Sequence, residues 1–158
     1  MPGNWPPQDF PNLTTSNWVP PPSPMTLRYN CIAWAAGDTT KKWWPDPWGI
    51  GAWPSGVRRE VTIQGFIDAF MALGYILCAD GAPEPGIEKI ALYAKPGPVG
   101  MLPTHAAIQL DNGNWSSKLG DFEDIEHFRL EALDGPQYGA VVSYLRRIRL
   151  IRPAPPTF

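Results

Sequence analysis

The apolar positions of this chain fall into a few short and dissimilar patterns. Across Val61 to Gly74 they recur at Ile63, Phe66, Ile67, Phe70 and Leu73. That is one stripe at the 3.6-residue period, and it predicts an amphipathic helix capped by Thr62 and ended by Gly74. A second, compact run from Cys31 to Gly37 follows Asn30. Asn is a favoured helix N-cap and Gly a favoured residue just past a C-terminus, so a short helix is predicted with Cys31 in its first turn. Short apolar runs predict strands at Tyr75–Cys78 and Glu88–Lys95. Thr104–Leu110 and Asn114–Leu119 flank Asp111-Asn112-Gly113, a strong hairpin turn signal. Tyr138, Val141, Val142, Tyr144 and Leu145 predict a helix over Gln137–Arg147, while Asp121–Leu133 reads as helix or irregular chain.

Proline punctuates what lies between. Eight prolines before Arg28 forbid helix and central strand there, leaving extended chain. Trp5, Phe10, Leu13, Trp18 and Val19 are too apolar for a free tail, so part of this arm is expected along the domain surface. Asp38–Pro54 holds Trp43, Trp44, Trp48 and Trp53 without periodicity. Such a loop either walls a substrate cleft or closes the core. Pro96–Pro103 reads as a Pro/Gly-rich connection. Twenty prolines would suggest disorder, but 44% hydrophobic and 12% aromatic residues argue for a packed domain with Trp-anchored loops. One domain over 1–158 is expected, with a flexible leader at 1–8 and a flexible tail at 153–158.

Charge removes several classes of partner. The net charge is −2, only 18% of residues are charged, and no basic block exists, which argues against nucleic acid. Arg146, Arg147, Arg149 and Arg152 read as a solvated face. No apolar run approaches the roughly 18 residues of a membrane span, and no signal peptide is evident, so no membrane partner and a cytoplasmic location are expected. Export by a system that reads no such signal stays open. Both cysteines, Cys31 and Cys78, are expected to be free. Cys31, Cys78, His105 and His127 lack metal-ligand spacing, and no glycine-rich phosphate cradle exists, so neither metal nor cofactor is expected. Oligomeric state is not legible.

The candidate chemistry rests on Cys31 and His105. A thiol in a first helical turn meets the positive end of the helix and unpaired N–H groups, which favour the nucleophilic thiolate. The plain alternative is a buried cysteine packing as a small hydrophobe. His105 opens the first hairpin strand, and an imidazole is the simplest base for a thiol near neutral pH. Cys78 reads as a packing residue and His127 as a structural one.

The blocks Tyr29-Asn30-Cys31-Ile32-Ala33-Trp34-Ala35-Ala36-Gly37-Asp38, Trp43-Trp44-Pro45, Thr104-His105-Ala106-Ala107, Trp115-Ser116-Ser117-Lys118-Leu119-Gly120 and Asp124-Ile125-Glu126-His127 resemble a family of small bacterial proteins with no established activity, over about residues 9 to 147. At one remove, the order of Cys helix, His strand and hairpin resembles papain-like cysteine amidohydrolases. That resemblance implies an α+β, papain-like fold whose Cys-bearing N-terminal helix packs on a small antiparallel sheet. It also implies catalytic Cys31 and His105, with a third residue, matched at Ser117, orienting the imidazole. A two-residue turn at Asn112-Gly113 would instead put Ser116 and Lys118 on the face of His105; a longer loop or bulge would restore Ser117. Asp124, Glu126 or His127 are alternatives. Tyr29, Asn30, Trp34, Trp43 and Trp44 are expected around the oxyanion site and cleft. The expected partner is a peptide or other amide substrate, cleaved by a peptidase, amidase or deamidase, a toxin activity included. The competing expectation is a catalytically inactive binding or interaction module of the same scaffold, an immunity or adaptor partner among them.

Overall fold

The structure, a computed structural model, describes residues 4–19 and 25–150. The expected tail at 153–158 and the first three residues of the expected leader lie outside the described residues. Seven strands dominate: β1 (Trp18–Val19), β2 (Ile76–Cys78), β3 (Ile87–Gly97), β4 (Gly100–Gln109), β5 (Trp115–Lys118), β6 (Asp124–His127) and β7 (Ala140–Ile148). They form one sheet in the order β1-β6-β5-β4-β3-β7-β2, with every neighbouring pair antiparallel. Among the described residues two short α-helices, α1 (Cys31–Ala36) and α2 (Ile63–Met71), and a 3-10 turn at Leu130–Leu133 complete the regular structure. No helix among the described residues is long and apolar enough to cross a membrane.

The papain-like α+β expectation is therefore corrected. In place of a helix on a small sheet, a large antiparallel sheet carries the fold. Three segments account for the difference. Gln137–Arg147 is a turn leading into strand β7 rather than helix, because Val141, Val142 and Tyr144 serve a strand paired on both sides, with β3 and β2. Asp121–Leu133 supplies β6 and the 3-10 turn. Pro96–Pro103 is no loose connection but the end of the β3–β4 hairpin, where Pro96 faces Met101 and Ala94 faces Pro103. The β7 pairing of β3 stops at Ala94. Beyond it the hairpin is a two-stranded ribbon with open outer edges, where a missing N–H costs little.

Both faces of the sheet are covered, so β3 is buried almost throughout. On the first face, Cys31, Ile32 and Ala35 of α1 and Phe66, Ile67 and Phe70 of α2 pack on Ile90, Leu92, Ala106, Ile108 and Leu145. The predicted α2 stripe and its Thr62 cap, which accepts from the Gly65 N–H, are as expected. On the second face, Ala91, Tyr93, Ala107 and Trp115 meet Leu130, Leu133 and Tyr138 together with Trp5 and Phe10 of the N-terminal arm. Trp5 lies inside the span expected as a leader and is buried. Gly139, at φ +75°, turns the chain into β7, and a Cβ there would run into the Ala94 carbonyl.

Candidate functional site

Helix α1 is built as its sequence implies. The Asn30 side chain accepts from the Ala33 N–H (3.1 Å), and Gly37 adopts φ 87° to close the C-terminus. Asn30 does more than cap. Its oxygen also accepts from the Trp43 N–H (3.1 Å) and its amide donates to the Trp43 carbonyl (2.8 Å). The start of the Trp-rich loop is thus tied to the start of the Cys helix. Trp43, Trp44 and Trp53 pack against the first core, whereas Trp48 stands in solvent.

Cys31 is buried, 6% exposed. Its thiol donates weakly to the Thr104 carbonyl across 3.8 Å. Burial pushes the thiol up to about 11, and this outweighs the N–H groups of Ala106, Ile32 and Cys31 and the charge of Lys118, all of which favour the thiolate. The dipole argument for a thiolate at rest is therefore overridden: the resting thiol carries its proton at neutral pH. The sulfur meets β4 through the main-chain groups on either side of His105.

The His105 ring belongs to the second face. It stacks on Tyr138 at 4.1 Å between centroids and meets Tyr93 edge-on. His105 lies inside β4 rather than at its start. Ile108 pairs with Ser116 and Gln109 with Trp115, so the hairpin loop is longer than two residues and Ser117 falls on the face of His105. A buried chain of hydrogen bonds results. His105 Nε2 lies 2.9 Å from Ser117 Oγ, Ser117 Oγ lies 2.8 Å from His127 Nε2, and His127 Nδ1 lies 2.9 Å from the Arg129 carbonyl.

The direction of that chain is fixed by its last member. A carbonyl only accepts, so His127 Nδ1 carries the proton and donates. Burial lowers His127 to about 4, against the opposing pull of the Arg129 carbonyl and Glu126, so the ring is neutral and its Nε2 accepts from the Ser117 hydroxyl. Ser117 Oγ then accepts from His105 Nε2–H. Burial, with the neighbouring His127, holds His105 well below its ordinary value. Its Nδ1 is left as a bare acceptor, buried and without a hydrogen-bond partner in the structure.

Lys118, fully buried, spends its ammonium on the carbonyls of Thr26 (3.0 Å), Gly120 (2.6 Å) and Phe122 (2.6 Å) and lies over the Tyr29 ring. Tyr29 stacks on Trp34, whose indole donates to Ser116 Oγ at 2.9 Å. Residue type alone singles out Cys31 and His105. Of the residues weighed for orienting His105, Ser117 bonds it directly and His127 follows in the same chain. The burial of the Lys118 ammonium among three carbonyls, by contrast, has no signal in the sequence.

Neither Cys31 nor His105 lies on the lining of the two grooves nearest to α1. The nearest opening to Cys31 along the chain is a groove of about 780 Å³ that begins at Asn30 and runs along the Trp-rich loop. A second, of about 340 Å³, lies by Trp34, Ser116 and Arg149. Both cysteines are free, and no cluster among the described residues has a metal-holding donor set.

Set against known proteins, residues 22–146 match the family described as "Domain of unknown function (DUF7689)". No curated protein and no solved structure matches the chain.

Proposed function

The chain belongs to the DUF7689 family, whose description carries no activity, and from the residues of the site we propose that it is a cysteine-dependent amidohydrolase with Cys31 as nucleophile and His105 as base. The observation that carries the reading is the bare Nδ1 of His105. The chain through Ser117 and His127 holds the ring in the tautomer a thiol-activating base needs. Cys31 Sγ rests against the carbonyl of Thr104, next in sequence to that histidine. Because burial disfavours both thiolate and imidazolium, proton transfer accompanies attack instead of preceding it.

At rest Cys31 and the His105 ring lie on opposite faces of β4, so this reading requires a displacement that brings them to one side. The sulfur then leaves the Thr104 carbonyl, gives its proton to Nδ1 and bonds the substrate carbonyl carbon. N–H groups at the start of α1 receive the oxyanion. The imidazolium then protonates the departing amine as the C–N bond breaks, and water, deprotonated by the same ring, releases the acid from the thioester. Ser117 and His127 are positioning residues, and Asn30 fixes the helix start.

A second reading rests on the burial of Cys31 and the full burial of His105: an interaction module in which these groups are only packed. A peptide acyloxymethyl ketone, which alkylates catalytic thiols, separates the two. The hydrolase reading expects labelling at Cys31, retained in Cys78→Ser and reduced about 100-fold or more in His105→Ala, within the usual range for general-base catalysis. Labelling confined to Cys78, or Cys31 labelling indifferent to His105, supports the module instead.

A further inference from the structure

The groove along the Trp-rich loop has features that folding does not explain. Its wall is braced. The Asp46 carboxylate accepts the N–H groups of Ile50 (2.8 Å) and Gly51 (2.6 Å), and the Arg59 guanidinium donates to the carbonyls of Asp46 (3.1 Å) and Gly51 (2.8 Å). A side chain at residue 51 would not fit, since its Cβ would lie 2.6 Å from the Trp44 carbonyl oxygen. Yet this braced loop leaves Trp48 81% and Ile50 86% exposed. Large apolar side chains fixed in solvent contribute nothing to the core and are suited to contact.

The charge around them is one-sided. Lys41 and Lys42 line the groove and are exposed. Asp46, the one carboxylate on the lining, is committed to its own loop and to Arg59 at 3.6 Å. Lys42 touches Asp121 only across 3.4 Å, with both side chains open to water, a contact of little worth. Lys41 has Asp38 in its neighbourhood, but that carboxylate is already bonded by Thr40 and the Trp43 indole. Two exposed cations on a chain of net charge −2 suit a few carboxylates better than a polyanion.

We propose that this groove takes an extended acidic peptide segment, its apolar side chains against Trp48 and Ile50 and its carboxylates at Lys41 and Lys42. The assignment rests on the hydrolase reading in naming that segment as the substrate class of Cys31. Asn30, shared by the groove lining and the cap of α1, joins the two places.

The test uses full-length Cys31→Ala, which binds without turnover, and fluorescein-labelled acetyl-Glu-Phe-Glu-Leu-Glu-Gly in a polarisation titration. Matched peptides carry Gln or Lys in place of Glu, and a short oligothymidine is the nucleic-acid arm. The acidic peptide should bind about tenfold or more tighter than the Lys peptide, with the margin shrinking as salt rises. The Lys41→Glu/Lys42→Glu protein should invert that order, and Trp48→Ala should weaken the acidic peptide about tenfold. Binding indifferent to peptide charge, no binding of any peptide, or tighter binding of the oligothymidine overturns the proposal. Peptide binding without ketone labelling of Cys31 removes the hydrolase reading and leaves the groove assignment; labelling without peptide binding does the reverse.

Discussion

The histidine pair makes acid the sensitive direction for this protein. His127 is held at about 4 in the fold against an ordinary 6.5, so the unfolded chain binds the extra proton between those values. Its stabilising contribution is complete above pH 6.5 and is lost as pH falls towards 4, in total on the order of 3 kcal/mol. His105, also held low, adds in the same direction. Urea midpoints at pH 7 and pH 5 should separate by more in the native protein than in His127→Gln; equal separations would remove His127 as the cause. The same residues mark how far residue type is legible. A cysteine after an N-cap and a histidine in a strand can be picked out unaided. The protonation state of Cys31 cannot, because the core that buries it and raises its thiol to about 11 is assembled from distant segments.

At the scale of elements, local signals held where they were self-contained. The α2 stripe, the α1 cap and the Asp111-Asn112-Gly113 turn each depend on residues within a few positions of one another. β6 and β7 depend on partners elsewhere in the chain, and β7 has an apolar spacing that suits helix equally well. His127 is named in the sequence reading only as an alternative to Ser117; the strand pairing of β6 makes the two successive links of one chain, which decides which nitrogen of His105 is bare. Asn30 shows a similar divide. Its capping role is local, whereas its clamp on Trp43 is tertiary. Asn30→Ala should lose about 2 kcal/mol, combining a cap with two uncompensated main-chain groups. Asn30→Ser should recover the cap alone and fall between the two in thermal melts. Equal melting of the Ser and Ala proteins would mean the clamp carries everything.

For the whole molecule, the sheet divides the chemistry. The helix that carries Cys31 lies on one face and the His105 ring on the other, with β4 between them. The second face is sealed by the N-terminal arm: Phe10, 3% exposed, packs on Tyr138 at 5.2 Å, and Tyr138 stacks on His105. Phe10→Ala should therefore cost about 3 kcal/mol in urea unfolding, as for a true core aromatic. A loss well under 1 kcal/mol would make the arm a surface appendage. The extended chain expected from the proline spacing is corrected here: between residues 4 and 17 the arm folds through successive turns, with Asp9 N–H donating to the Pro6 carbonyl, Leu13 N–H to that of Phe10 and Asn17 N–H to that of Thr14. Which face it covers is not legible in the sequence.

That seal also sets an order of events at the ribosome. Trp18 pairs with His127, and Phe10 waits for Tyr138, so residues made early find their places only when the far end of the chain has emerged. Through most of synthesis Trp5, Phe10 and Trp18 travel uncovered, in a topology whose long-range pairings close slowly. The second core is thus the last part to be finished, and nascent chains stalled short of β7 would be the ones most in need of a chaperone.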